Sequence, residues 1–436
     1  MNFTKDCMKI AVVGSGISGL GAAWLLSKQH DVHLFEADNR LGGHANTVSV
    51  AEPDMAVALG SAIPMDTGFL VYNELTYPHL TAFFKTLQVE TVDSNMSLSV
   101  QVRNKNLEWN GTNLNGVFGQ RLNLLKPSFH RMLLEILRFG KEAEQNLLAA
   151  RKNSWSLNDL LSFGRYSDNF KMDYLLPIGA AIWSTPESRM LEFPAETFLR
   201  FFINHKLLQV NDRPVWRTVK NGSINYVEKI ASSLGHVHLN TAVVAVERVS
   251  GSGKVIVRTQ NESTEFDKVV LATHAPITNT ILMNKSDLEQ KVLSAVKFEP
   301  NRTVLHTDAS VMPKNARCWA SWNVNGTLTH DQKRKVSLSY YLNLLQPLET
   351  KKKYFVTLNA DTNLDNTIQE FNYSHPQFDR LAIQAQAELP TIQGQGGVYY
   401  AGAWSRYGFH EDGLLSAVNV AKLIGTQTPW KVEDSK

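Results

Sequence analysis

Short apolar runs that stop at glycine open and close this chain, and a long stretch of helical periodicity lies between them. Met8 to Val13 (MKIAVV) is β-branched and apolar up to a glycine cluster, so it reads as a buried strand. Ile17 to Leu26 follows as a small-residue helix, and Asp31 to Phe35 as a second strand. Strand, tight turn, helix and strand make the βαβ unit of a doubly wound sheet. From Tyr77 to Trp216 the period lengthens, with Phe129, Met132, Leu133, Ile136, Leu137, Ala143 and Leu147 on one expected helix face. Strand patterning returns from His236 to Leu271, where HVHLNTAVVAVERV, KVIVRTQ and FDKVVLAT read as a β-meander. Thr303–Leu305, Val336–Leu342 and Tyr354–Leu358 are further expected strands, and GVYYAGAW then GLLSAVNVAKLIG a final strand and helix. The fold class this predicts is α/β, a Rossmann-type domain with a parallel sheet and a β-meander, interwoven with a second mixed α/β domain.

The glycine cluster is Gly14-Ser15-Gly16-Ile17-Ser18-Gly19, which fits G-x-G-x-x-G after a strand and at the start of a helix. Its first glycine permits the turn, the second lets backbone approach a pyrophosphate, and the third lets helix and strand pack closely. Glu36 ends the second strand, where a carboxylate can accept hydrogen bonds from ribose hydroxyls and would repel a 2′-phosphate. The next residues are Ala37, Asp38, Asn39, Arg40, Leu41, Gly42, Gly43 and His44. Arg40 offers a fork of donors to phosphate, and the paired glycines let backbone pass a flat ring.

This run resembles the extended fingerprint of the flavin-containing amine oxidase superfamily, which includes protoporphyrinogen oxidase and the phytoene desaturases, here of a bacterial type. The family's usual arginine after the glycines is His44 in this chain. The resemblance recurs in order at Asp66-Thr67-Gly68, Asn221-Gly222-Ser223, Val243-Val244, Val269 to Ala272 with Thr273, Tyr400 to Trp404 including Gly402, and Asp412-Gly413-Leu414-Leu415. It implies one FAD, held non-covalently, with Val244 near the adenine and the last helix start near the flavin or diphosphate. It further implies an FAD-binding domain of residues 1–76, 217–288 and 395–436, and a substrate domain of 77–216 and 289–394. The implied activity is transfer of a hydride from a C–H bond to the flavin. The C-terminal segment holds no cysteine for a thioether link to the flavin, and no second dinucleotide turn follows a strand, so oxygen, a quinone or another acceptor is expected to reoxidise it.

Two departures concern catalysis. Where the family places an aromatic ring before the C-terminal glycine, this chain has His410, beside Glu411 and Asp412. Where a lysine is expected near Thr303, the nearest cation is Arg302, which cannot give up its proton. His410 reads either as a base or orienting group, or as part of a cluster in which Glu411 or Asp412 caps the helix. Trp183, Trp319, Trp322, Tyr340 and Tyr341 are candidates to line a pocket; His306 and His330 stand alone and read as structural. With no aromatic cage evident, a hydrophobic acyl or isoprenoid substrate fits as well as an amine. A redox-neutral isomerase and a non-catalytic FAD-binding protein are the alternatives.

Bulk properties trim these options. At 436 residues, with 43% hydrophobic and 19% charged positions, two soluble domains are the natural expectation. A net charge of +3 with no dense basic tract argues against nucleic acid. Two distant cysteines suggest a reducing compartment, and no run reaches the roughly 18 apolar residues of a membrane span, so a cytoplasmic location is expected. Residues 121–152 carry seven Lys/Arg against three Asp/Glu beside an apolar face, which permits peripheral contact with the inner membrane face. No Cys/His/Asp spacing marks a metal site.

Overall fold

A computed structural model describes residues 7–52, 62–183, 187–209, 213–328, 334–360 and 362–432. Lys9–Val13, Ile17–Leu26 and Asp31–Phe35 form the expected βαβ unit. The two strands lie in a five-stranded parallel sheet ordered His236–His238, Asp31–Phe35, Lys9–Val13, Lys268–Leu271, Val398–Tyr400. Lys9–Val13 pairs with a strand more than 250 positions away, so the sheet closes only when distant segments meet.

The region expected to be one meander divides in two. Val243–Arg248, Val255–Thr259 and Ser263–Phe266 form an antiparallel sheet of their own. His236–His238 and Lys268–Leu271 join the parallel sheet instead. Burial supplies the reason. Val269, Val270 and Leu271 are buried without alternation, as a strand covered on both faces requires, whereas Val255–Thr259 alternates.

One face of the parallel sheet carries Ile17–Leu26 and the C-terminal helix His410–Ile424, whose Leu414, Ala417, Val418 and Ala421 share a core with Leu20, Ala22 and Ala23. The contact is close because Gly21 has no side chain; a Cβ there would stand 2.7 Å from Leu414 Cδ1. The other face packs against the antiparallel sheet and against Asp287–Ala295 and Arg380–Ile392. Beyond it, a seven-stranded mixed sheet runs from Thr367–Pro376 and Phe298–His306 through to Leu107–Asn110.

A helical block built on Phe129, Phe139, Phe170, Trp183, Phe198 and Phe202 covers that sheet. In its helix Pro127–Lys141, Phe129, Met132 and Phe139 are buried, but Leu137, expected on the same face, is 55% exposed. Among the described residues, no helix is long and apolar enough to cross a membrane.

Candidate cofactor and substrate site

The glycine turn separates three demands. Gly14 has φ +96° and donates to Phe35 O at 2.8 Å, so the backbone itself requires glycine there. At Gly19 a Cβ would sit 1.8 Å from Gly14 O, so helix and turn could not pack. Gly16 is neither: its φ of −64° suits any residue, and a Cβ would meet no atom of the described residues within 4 Å. Its bareness serves something other than the polypeptide. The helix that follows has no side-chain cap and no acid in its first turn, so its start offers free N–H groups and a positive dipole end.

The flanking residues fit the two ends of a dinucleotide. Glu36 accepts from Ser15 N at 2.9 Å, from the Ser15 hydroxyl and from Asp38 N at 3.0 Å, which holds its carboxylate beside the turn. The backbone around Glu36 is tied to the segment before Val244, with Thr241 N donating to Glu36 O and Asn240 N to Asp38 O. Val244 lies where the strand register skips from Val243 to Ala245, a bulge that leaves its peptide groups outside the ladder. Arg40 reaches only the carbonyl of Leu41, at 3.4 Å, and among the described residues no carboxylate pairs with it. A half-buried cation without an anion beside an open glycine suits a diphosphate. Gly42 N returns to Ser15 O at 3.0 Å, and Gly43 stands against Gly16, its would-be Cβ 3.2 Å from Gly16 Cα. Ala272 lies directly beneath Gly14.

Other expected contacts turn inward on the protein. Asp66 is buried and accepts from Thr47 Oγ1 at 2.6 Å, from Ser223 Oγ at 2.7 Å and from Gln346 Nε2 at 3.2 Å. Burial raises its pKa to about 6. Thr67 Oγ1 bonds Asn46 O and Tyr373 Oη, and Gly68 is bare because His44 O would stand 2.2 Å from a Cβ. Gly402 makes room for Trp404, Gly413 for Ile17 and Ser18, and Leu414 packs on Gly21. The small residues at the last helix start thus serve helix packing.

The catalytic expectations divide. Arg302 is not at the site: on alternating strand Phe298–His306 it faces solvent and pairs with Glu370, while Asn301 and Thr303 point inward. His410 is inside. Its ring stacks on Phe69 with centroids 3.8 Å apart, and Nε2 lies 3.2 Å from Tyr226 Oη. Burial lowers its pKa to about 3, so it is uncharged at neutral pH. The neighbouring acids are caps. Asp412 accepts from Phe409 N at 3.0 Å, and Glu411 accepts from His79 N and Leu80 N, capping the helix Pro78–Thr86. Burial raises Glu411 to about 7 and Asp412 to about 6.

Trp183, Trp319, Trp322 and Tyr340 pack against other aromatics rather than opening on the turn. Tyr341 stacks on Phe355, and His306 binds Thr357 Oγ1 at 2.8 Å. His330 lies outside the described residues.

Beside the Gly42-Gly43 turn the structure gathers His274, Tyr373 and His375, which were not expected at the site, around His44, which was expected at the cofactor. His44 has its ring 5.0 Å from Tyr373, 5.3 Å from His375 and 6.1 Å from His274, and its buried Nε2 has no hydrogen-bond partner among the described residues. Tyr373 Oη is held by Asn46 Nδ2 at 2.8 Å and Thr67 Oγ1 at 2.7 Å. His375 Nδ1 lies 3.1 Å from Asn301 Nδ2, and His274 stacks on Phe298. Burial holds His44 well below the usual imidazole range and lowers His274 and His375 to about 4. The available signal was Phe371, Tyr373 and His375 alternating along Thr367–Pro376.

Comparison with known proteins places the chain in a family. The profile of the flavin containing amine oxidoreductases matches residues 17–339. Tryptophan 2-monooxygenase of Allorhizobium ampelinum is 38% identical over 101 residues, a stretch spanning 22% of this chain and 14% of that protein. Among solved structures, a fatty acid isomerase from P. acnes superposes with a TM-score of 0.67 at 12% identity, covering 98% of this chain and 100% of the other. Cyclohexylamine oxidase from Brevibacterium oxydans IH-35A gives 0.66 at 15% identity, covering 96% and 99%. At such identities the superpositions show the shared fold. With its dinucleotide turn, bare Gly16 and matched profile, the chain belongs to the flavin-containing amine oxidoreductase family, and its cofactor is FAD.

Proposed function

We propose that the chain oxidises a C–H bond of a substrate that is uncharged when bound, either a neutral amine or a hydrophobic lipid- or isoprenoid-like molecule. The observation that carries this is the group beside Gly42-Gly43: His44, His274 and His375, all held neutral by burial, with Tyr373 among them. Bound FAD would supply the two-electron acceptor, a capacity no side chain here has. Gly14, Ser15, Gly16, Ile17, Ser18, Glu36, Ala37, Arg40, Leu41, Gly42 and Gly43 would hold it, with Val244 at the adenine end.

The chain's own residues then bind and orient. The Nε2 of His44, unpartnered among the described residues, offers a hydrogen bond to a polar substrate atom. Asn46 and Thr67 fix the Tyr373 hydroxyl, and Asn301 fixes the His375 ring. The stacked rings of Phe69 and His410 give an apolar wall. Reoxidation by oxygen, a quinone or another acceptor completes the cycle.

Anaerobic mixing of FAD-loaded protein with amines, fatty acyl compounds and polyenes tests the reading. Stoichiometric bleaching of the flavin by one class supports it. Turnover that needs prior reduction and leaves no net bleaching would replace it with isomerisation, and a flavin inert to every class would leave a binding protein.

A cytoplasmic protein resting on the inner membrane face fits a hydrophobic substrate. Leu122, Leu125, Leu134 and Leu137 are more than half exposed and share residues 121–152 with Arg121, Lys126, Arg131 and Lys141. Co-sedimentation with anionic vesicles, lost in Leu122→Ser/Leu125→Ser, is the expected result. Equal sedimentation of both proteins would remove this contact.

A further inference from the structure

At the end of the parallel sheet away from the glycine turn, three histidines and an aspartate meet. The pairing of His236–His238 with Asp31–Phe35 sets His236 beside His33 and His238 beside Phe35. Alternate residues on a strand share a face, so Asp31 and His33 from one strand join His236 and His238 from the next. The His33 and His236 rings stack with centroids 4.2 Å apart and planes 5° off parallel. Asp31 lies across their ends, one carboxylate oxygen 3.4 Å from His33 Nε2 and the other 3.3 Å from His236 Nε2.

We propose that Asp31, His33 and His236 bind a divalent transition ion of the zinc class at this sheet edge. Ligand atoms of the three residues lie within 4.8 Å of one another. Zinc holds nitrogen and oxygen at about 2.0–2.2 Å in a tetrahedron, whose edges are then roughly 3.4 Å. The two nitrogen–oxygen distances, one to each carboxylate oxygen, are near that length, and the His236 ring at the open rim turns out of its stack on His33 for both Nε2 atoms to face one ion. Two imidazoles and one carboxylate suit zinc, cobalt, nickel or copper, and not magnesium or calcium, which take oxygen.

The surroundings are those of a held ligand set. His33 Nδ1 lies 3.2 Å from His238 Nε2, so a proton shared there keeps the Nε2 face of His33 toward the ion. His33 also packs edge-on against Phe266, at 5.4 Å and 74°, and its side chain is only 15% exposed, which limits swinging. The Lys9 ammonium is held over the other partner of that contact, 4.9 Å from the Phe266 ring. Asp31 and His236 are about half exposed, leaving a way in and room for water as fourth ligand.

The consequence is mechanical. His236–His238 is an edge strand of three residues, and the chain runs from it directly into Asn240 and Thr241, which bond Asp38 and Glu36. An ion shared between strands 205 positions apart, counted from His33 to His238, would pin the segment that frames the nucleotide end. That separation is why no local spacing announced the site.

The test uses the full chain, free of any affinity tag and stripped with chelator, with and without FAD. Calorimetry with zinc chloride and absorption spectra with cobalt(II) read the binding. Expected are one ion per chain, a cobalt spectrum of low coordination number, and a zinc-dependent rise in melting temperature. His33→Ala and His236→Gln each lose the saturable phase, and His238→Ala weakens it by roughly 10-fold or more. Because His236 sits at the open rim, its glutamine variant keeps the fold even if His33→Ala does not. Zinc uptake unchanged in His236→Gln, or none in the parent chain at micromolar metal, overturns the proposal.

Discussion

The glycine turn and the histidine-lined face lie side by side in this molecule and were built by different rules. In the turn, the requirement falls on the backbone: Gly14 by its φ of +96°, Gly19 by a contact of 1.8 Å, and Gly16 by the space above it. Six consecutive residues state the whole need. On the face, each residue is ordinary alone, and the chemistry appears only when His44, His274, Tyr373 and His375 converge from three distant stretches. A site made of backbone geometry is local, and one made of side chains need not be.

The sharpest break of that contrast is Gly19→Val. Branched carbon has nowhere to go between helix and turn, so the variant is expected to be insoluble or unfolded, as read by circular dichroism. Asp66→Ala comes next. It strands Thr47, Ser223 and Gln346 in a buried place and is expected to cost about 3 kcal/mol in denaturant unfolding, with weaker FAD retention as a secondary effect.

Acid titration sharpens the side-chain half. His274 and His375 take up protons near pH 6.5 when unfolded but only near 4 when folded. The unfolded chain therefore binds more protons between those values, and stability falls as pH drops from about 6.5 to 4. Asp66, at about 6, acts oppositely: its contribution is present below its unfolded value of 3.8 and is lost as pH rises toward 6. Melting temperatures from pH 4 to 7 should lose part of their acid slope in His274→Phe and gain slope in Asp66→Asn. Unchanged slopes in both would deny that burial sets these protonation states.

Smallest of all is Arg302→Ala. Its ion pair with Glu370 is exposed, so the expected change is below about 1 kcal/mol in stability and within twofold in turnover. A large loss of activity would restore Arg302 to the site.

What could be read beforehand follows the same division. The βαβ unit, Glu36 and the order of later motifs were legible because apolar runs and glycines are local statements. The split of the expected meander was not, since Lys268–Leu271 earns its place by pairing with Lys9–Val13 across the chain. Arg302 looked apt by position, yet strand alternation turned it outward and Asn301 inward. Glu411 and Asp412 read in sequence as caps of their own helix, and only the contact with Pro78–Thr86 shows Glu411 capping another helix.

Gly16→Val probes the account at its centre, because none of the described residues needs that position to be glycine. Purified beside the parent chain and offered excess FAD, it should melt as cooperatively as the cofactor-free parent yet retain at least 100-fold less flavin, a gap of roughly 2.7 kcal/mol in binding. A folded variant that stays as yellow as the parent would show that the diphosphate does not lie over this turn.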